Sequence, residues 1–210
     1  TDASAQGKIS AVKTGASIVA RGQLQDGMPR YDGSAQIDGV PGSAAPVELN
    51  FMNVAGSSTG AFLPSGNLID SFEGVEVTCM DVAMPMVIAR AADFGLTGAE
   101  TREELDANRD FFAKMETVRL AAGAAMGMGD CSRSVTPKFG LLYPVEGAGH
   151  IGARYFMPWE THPTMAVTGS QALASCALTP GTIADKMMTI PKERPAKITL
   201  HHLMGWADLP

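Results

Sequence analysis

Only one stretch of the chain, residues 101–126, is long and regular enough to make a substantial helix. Almost everything else is cut by glycine and proline into short apolar runs of strand length. The 210 residues include 23 Gly and 13 Pro, with 45% hydrophobic and 18% charged residues. That composition belongs to a folded globular chain, not a disordered one. A chain punctuated in this way has many turns and many strands.

The helix at 101–126 opens on Thr101-Arg102-Glu103-Glu104, a capping box in which threonine and glutamate each satisfy a free backbone donor of the first turn. At about 100° per residue, Leu105, Phe112, Met115, Ala122 and Met126 share one face, with Phe111 and Val118 at its edge. Gly127 and Gly129 end it. Arg119 falls within this apolar arc, so it is expected to pair with Glu116 at i−3 and to be structural. Thr168-Gly169-Ser170-Gln171 reads as a second capping box, opening a short helix of small residues over 172–178 that Pro180-Gly181 stops.

Strands are expected within 8–24 (two, around a turn containing Gly15), 47–54, 75–81 and 86–91. Others are expected over 135–143 and 151–157, joined by a hairpin at 144–149, and over 197–200. Residues 25–34 hold two Asp-Gly pairs and a proline and form a turn-rich connector. Residues 37–42 read as a domain boundary, and 56–67 as a loop of small residues.

The net charge of −6 offers no basic face for phosphates, which argues against nucleic acid. The longest apolar run, 82–89, is broken by Pro85 and closed by Arg90, so no segment reads as a membrane span. No basic region followed by an apolar one opens the chain, so no signal peptide is expected. Cys79, Cys131 and Cys176 are odd in number and far apart. A reducing, cytoplasmic compartment is therefore expected, with Cys79 and Cys176 inert in the core. The chain opens on Thr1, as a processed protein or a piece of a longer one would.

Two motifs fail on context. Gly147-Ala148-Gly149-His150-Ile151-Gly152 matches GxGxxG, but a dinucleotide site needs a helix after the motif, and a strand follows here. Gly56-Ser57-Ser58-Thr59-Gly60 matches GxSxG, but Pro64, Ser65 and Gly66 forbid the helix that a nucleophile elbow requires. His150, His162, His201 and His202 show no metal-ligand spacing, so no metal is expected. What remains is a helix N-terminus at Thr168-Gly169-Ser170, whose free donors and positive dipole end suit an anion. Lys138, in an apolar strand, and His162, just before that helix, are two further candidates.

These segments also carry a resemblance. Residues 37–46 (IDGVPGSAAP), Val54-Ala55-Gly56, Leu63-Pro64-Ser65-Gly66-Asn67 and 73–79 (EGVEVTC) follow one another in a recognisable order. Gly95-Leu96-Thr97-Gly98, Val135-Thr136-Pro137-Lys138 and Val167-Thr168-Gly169 complete it. Over about 12–202 the chain resembles the 4-oxalomesaconate tautomerase and aconitate isomerase family, which has the diaminopimelate epimerase fold. Met84-Pro85 stands where the related epimerases carry Asn-Pro, and the 201–205 turn looks like the family's His-Pro-Ser-Gly with Leu203 replacing proline.

The resemblance implies an α+β fold of two similar domains, each a curved sheet around a central helix, with the site in the cleft between them. This chain would hold remnant strands of the first domain and a connector (1–40), most of the second domain (41–202) and an irregular tail (203–210). The family's first-domain cysteine loop would lie before Thr1, and the catalytic groups with it; within the chain only His162 is a candidate acid–base group. The implied reaction is a 1,3-proton shift in a small oxo- or unsaturated tricarboxylate, most simply keto/enol tautomerisation of 4-oxalomesaconate. It needs no metal, nucleotide or other cofactor. The partners would be a small anionic tri- or dicarboxylate and a second copy in a homo-oligomer, with neither nucleic acid nor membrane. Substrate-binding residues would be Ser65, Gly66, Asn67, Lys138, His162, Thr168, Gly169 and Ser170, and a bulky residue at 169 would block the ligand while leaving the fold intact. The competing readings are an aconitate- or methylitaconate-type double-bond isomerase, an epimerase with paired cysteines, and a truncated, inactive binding fragment.

Overall fold

A computed structural model describes residues 3–10 and 17–209 of the chain, which form two sheets. The first contains β1 (Ala3–Ser10), β2 (Ser17–Gln25), β3 (Met28–Pro29) and β4 (Val47–Met52), all antiparallel to their neighbours. The expected turn between β1 and β2, with Gly15, lies outside the described residues. β2 is central, and the register aligns Ile9, Ile18 and Phe51 across three strands. Gly7, Ala20 and Leu49 form the next row on the same face. Lys8, Val19 and Asn50, then Gln6, Arg21 and Glu48, form the opposite face. Among the described residues no side chain of this sheet is fully buried.

The second sheet has seven strands in the order β11-β10-β9-β8-β7-β6-β5. They are β5 (Asp70–Phe72), β6 (Val75–Asp81), β7 (Pro85–Arg90), β8 (Lys138–Pro144), β9 (His150–Phe156), β10 (Ile198–His202) and β11 (Gly205–Leu209). Only β7–β8 and β9–β10 are parallel pairs. A parallel pair needs a crossover, and each of these carries helix. Residues between β7 and β8 hold α1 (Arg102–Ala107) and α2 (Arg109–Ala125), and those between β9 and β10 hold α3 (Val167–Leu178).

Strand alternation sends one set of side chains to each helix. Val75, Val77, Cys79, Val87, Ala89, Phe139 and Leu141 meet Phe111, Met115, Val118 and Ala122 of α2. Met86, Ile88, Leu142, Ile151, Ala153, Ile198 and Leu200 meet Ala172, Leu173 and Cys176 of α3. The helix α3 therefore lies on the face opposite α2, and its small residues permit the close approach. A Cβ at Gly140 of β8 would stand 2.7 Å from Leu173 Cδ2.

The Thr101 capping box forms, with both reciprocal bonds to Glu104. The single helix expected over 101–126 is instead two, because Asn108 breaks it and its side chain caps α2 through the Phe111 N–H. Arg119 is wholly buried. It makes a bidentate pair with Glu116 at 2.7 Å for both bonds and donates to the carbonyls of Cys131, Ser134 and Pro137. It thus ties α2 to the segment leading into β8, the structural role its place in the arc implied. The GxGxxG segment is the β8–β9 hairpin, with Gly147 and Gly149 at positive φ.

Three expectations change. The tail is not irregular, because residues 205–209 form β11 against β10. β4 pairs with β2, so the division between the sheets falls after residue 52 and not at 41. The second capping box does not form: α3 begins at Val167 with Ala166 as its N-cap and no side-chain cap bond. Among the described residues no helix is long and apolar enough to cross a membrane.

Candidate active site

The strand register concentrates chemistry at the end of the sheet where α3 begins. Lys138 opens β8 directly opposite Met86 of β7. It shares a face with Gly140 and Leu142, the face that carries α3. Tyr155 pairs with Gly140 on the same face and packs under Gly169. The Tyr155 hydroxyl donates to Met84 Sδ at 3.3 Å, and Thr168 Oγ1 donates to the same sulfur at 3.7 Å. The β6–β7 turn, the end of β9 and the first turn of α3 therefore meet at Met84.

The N-terminus of α3 is open. Ser170 N–H donates to Ala166 O, and no acceptor among the described residues serves the N–H groups of Val167, Thr168 and Gly169. Free donors at a helix start, with the positive dipole end behind them, form a ready anion site. The donors are one residue earlier than Thr168-Gly169-Ser170 suggested. Ser170 faces inward, and its hydroxyl donates to Val167 O at 2.7 Å. Gly169 is also buried, and its hydrogen serves Tyr155: a Cβ there would stand 2.6 Å from Tyr155 Cε2.

His162 stands beside this terminus. Its N–H donates to Tyr155 O at 2.8 Å, and its ring meets the Tyr155 ring edge-on at 5.4 Å. Its Nδ1 accepts from Thr164 N–H at 3.1 Å, so in the neutral ring Nε2 carries the proton. Burial pushes the His162 pKa down, the charges of Arg102 and Lys138 push the same way, and Glu160 opposes them. Lys138 is half-buried, and no carboxylate lies within ion-pairing distance of it among the described residues. Desolvation holds its pKa below the usual lysine value, with the Arg119 charge adding to the effect.

Ser65, Gly66 and Asn67 follow Phe62, whose carbonyl accepts from Asp81 N–H at 3.0 Å at the near end of β6. Asn67 Nδ2 donates to Asp70 Oδ1, and Asp70 pairs with Val77 at the far end of β6. The next residue, Leu68, contacts the Gly181 position beyond the C-terminus of α3. The 56–60 loop, the failed GxSxG, also lies at the Asp81 end of β6. Asp81, fully buried at the end of β6, accepts from Ser58 N–H, Thr59 N–H and Thr59 Oγ1 at 2.8, 2.7 and 2.9 Å. The signal was an acidic residue ending an apolar strand, which a buried carboxylate tolerates only when hydrogen-bonded.

The connector also reaches the site. Gly39, at φ +84°, passes so close to Thr164 that a Cβ would stand 2.7 Å from its Cγ2. Asp38 accepts from Trp206 N–H at 2.9 Å. Residues 37–39 therefore bind the segment that leads into α3 to the β10–β11 turn. The other histidine pair lies elsewhere: His150 Nδ1 and His201 Nε2 are 2.8 Å apart beside Trp206 and Asp208. An apolar groove of about 230 Å³, lined by Val54, Val82 and Ala174 among others, follows the flank of α3 and not its N-terminus. Among the described residues no group of three or more His, Cys, Asp or Glu is placed to hold a metal ion.

The family model described as PrpF protein matches residues 3–209, essentially all of the described chain. The chain belongs to the PrpF family. Among PrpF relatives, an Escherichia coli protein that carries an isomerase name, YbhH, is 45% identical over 96% of this chain and 57% of its own length. The (4E)-oxalomesaconate Delta-isomerase of a Novosphingobium species is 41% identical over 91% of this chain and 54% of its own length. The 4-oxalomesaconate tautomerase of Pseudomonas putida is 37% identical over 94% and 55%. A crystal structure of methylitaconate-delta-isomerase superimposes with a TM-score of 0.87 at 26% identity, covering 98% of this chain and 59% of that one. The chain thus has the diaminopimelate epimerase-like fold and spans a little over half the length of these PrpF relatives.

Proposed function

We propose that this PrpF chain is part of an isomerase that shifts a proton and a double bond in a small oxo- or unsaturated tricarboxylate, with 4-oxalomesaconate as its substrate. The observation that carries the reading is the open N-terminus of α3, whose three free N–H groups stand with Lys138 and His162. All of these favour a polyanion, in a protein whose net charge is otherwise −6. A 1,3-proton shift makes an enolate-like intermediate, and fixed backbone donors with nearby cations stabilise such charge without reorganising. The relatives named for oxalomesaconate, at 41% and 37% identity, support that substrate over the 3-methylitaconate isomerase of Eubacterium barkeri at 29%.

The cysteines argue against an epimerase. Cys79, Cys131 and Cys176 are buried, and none lies at the start of α3. Desolvation pushes the Cys79 thiol far above its usual range and the Cys176 thiol up to about 11. Neither is a ready acid–base group at neutral pH.

Incubation of the protein with 4-oxalomesaconate, followed by proton NMR, tests the reading. Keto/enol conversion above the buffer rate, and calorimetric affinity for a tricarboxylate above that for a monocarboxylate, are expected. A protein that binds no tricarboxylate overturns it.

A further inference from the structure

The segment that brings His162 to the start of α3 is an irregular return and not a strand. After β9 the chain turns through Pro158, with Met157 N–H donating to Glu160 O at 2.9 Å. It comes back beside β9 through a single bridge between Phe156 and Thr161. Successive N–H groups of an extended segment point to opposite sides. That of His162 faces β9 and donates to Tyr155 O, so that of Thr161 faces away. Thr161 is wholly buried, and a buried N–H needs an acceptor. Asp106 Oδ1 of α1 accepts it at 2.8 Å. Asp106 approaches from the other side of the sheet: its neighbour Leu105 is buried in the core that holds α2, whereas Tyr155, against which the His162 ring packs, belongs to the core that holds α3. Arg102, one turn earlier in α1, joins the two acidic groups. Its Nε lies 3.3 Å from Asp106 Oδ2 and its Nη2 lies 3.7 Å from Glu160 Oε2. The helix α1 is thus tied to both residues that precede His162.

We propose that Asp106 is a positioning residue for the anion site: it fixes the 157–162 return from the α2 side and so holds His162 beside the free N–H groups of α3. The inference rests on the tricarboxylate reading of that site and names a residue outside it on which the site depends. Asp106 touches no ligand. Its effect passes through the Thr161 N–H to the next residue, whose Nδ1 is engaged by Thr164 N–H and whose Nε2–H is left as a donor for a carboxylate oxygen. A six-residue helix with its own fixed ends suits this task. Thr101 and Glu104 cap its start, and the Asn108 N–H closes its end on Leu105 O, so Asp106 is carried on a rigid turn. The interaction with Thr161 needs an acceptor at Oδ1 and not a charge, which separates the two parts of the carboxylate's role. Asparagine keeps the acceptor and loses the pairing with Arg102, whereas alanine loses both.

Three measurements test it, two of them without ligand. In the wild-type protein the Thr161 amide proton should move with the titration of the Asp106 carboxyl. An amide indifferent to that titration overturns the proposal, whether or not any variant folds. Proton NMR of the His162 ring then compares two variants. In Asp106→Ala the nuclear Overhauser contact between the His162 and Tyr155 rings should weaken. The ring's midpoint should rise toward the ordinary histidine value, because burial is the largest cause that holds it down. In Asp106→Asn the contact should persist and the midpoint should not rise, since the less neutralised Arg102 charge pushes it down. A folded Asp106→Ala protein with the wild-type contact and midpoint overturns the proposal. The third measurement is calorimetric titration with trans-aconitate. Affinity should fall about 10- to 100-fold in Asp106→Ala and stay within about threefold of wild type in Asp106→Asn. Equal losses in the two variants, or none in either, overturn the proposal. A wild-type protein that binds no tricarboxylate overturns the function instead, and the ligand-free measurements still decide Asp106.

Discussion

Gly169 lies against the face of Tyr155, so that a Cβ at 169 would come within 2.6 Å of the ring. The ring cannot easily yield, because its hydroxyl is bonded to Met84 Sδ and the His162 ring packs edge-on against it. This contact corrects the expectation that a bulky residue at 169 would leave the fold intact. Gly169→Ala gains about 1 kcal/mol of helix propensity and loses more to overpacking, for a net destabilisation of about 1–2 kcal/mol. Urea unfolding measures it, and a Gly169→Ala protein as stable as wild type would show that the contact is not tight.

The second prediction concerns Asp81. Its carboxylate accepts three hydrogen bonds from Ser58 and Thr59 in a fully buried position. Asp81→Ala strands those donors, and about 3 kcal/mol of stability should be lost. Amide exchange at Ser58 and Thr59 should accelerate before the rest of the protein opens. Protection at those two amides unchanged from wild type would contradict the anchoring role.

The third follows from three histidines. Burial is the largest cause that lowers the pKa of His162, His201 and His202 below the usual histidine value. The unfolded chain therefore binds protons at a higher pH than the folded one does. Stability rises with pH wherever the unfolded state holds more protons, so it should fall as pH drops from about 7.5 to 5.5. The carboxylates ordinarily titrate below that window. Denaturant midpoints at the two values test the sign, and His162→Gln should flatten the slope. A midpoint that rises on acidification contradicts the burial of these rings.

The first sheet gives the fourth. Ile9 is 52% exposed, Val47 62% and Leu49 44%, and all three lie on one face with Ile18, Ala20 and Phe51. An uncovered apolar face of this kind favours association. The 210-residue chain should form dimers or larger species in sedimentation velocity, and Leu49→Lys should shift it toward monomer. A wild-type chain that stays monomeric at high micromolar concentration would contradict this.

Period and punctuation made most of the second sheet legible. β6, β7, β8 and β9 fall where the apolar runs lie, and the Thr101 box marks the start of α1 to the residue. The break at Asn108 was hidden because the apolar arc continues through it, while the asparagine acts locally as a cap. β11 was missed because Gly205-Trp206-Ala207-Asp208-Leu209 has little apolar alternation and gains its place from pairing with β10. That Lys138 stands in an apolar strand and His162 just before α3 was legible from their places in the sequence. The path of the 62–68 segment along β6, from Asp81 to Thr78, was not, because it depends on which end of β6 a long loop returns to. Asp81 escaped for a related reason, since its partners lie more than twenty residues earlier in the chain.

The central claim is that a polycarboxylate is held by the free N–H groups at the start of α3. Chemical-shift mapping of the nitrogen-15-labelled protein, titrated with trans-aconitate, addresses it directly. The account predicts saturable shifts at the amides of Val167, Thr168 and Gly169 and at His162, strongest at low ionic strength and weakened in Lys138→Met. Shifts confined to other surfaces, or none at millimolar ligand in a folded protein, would contradict it.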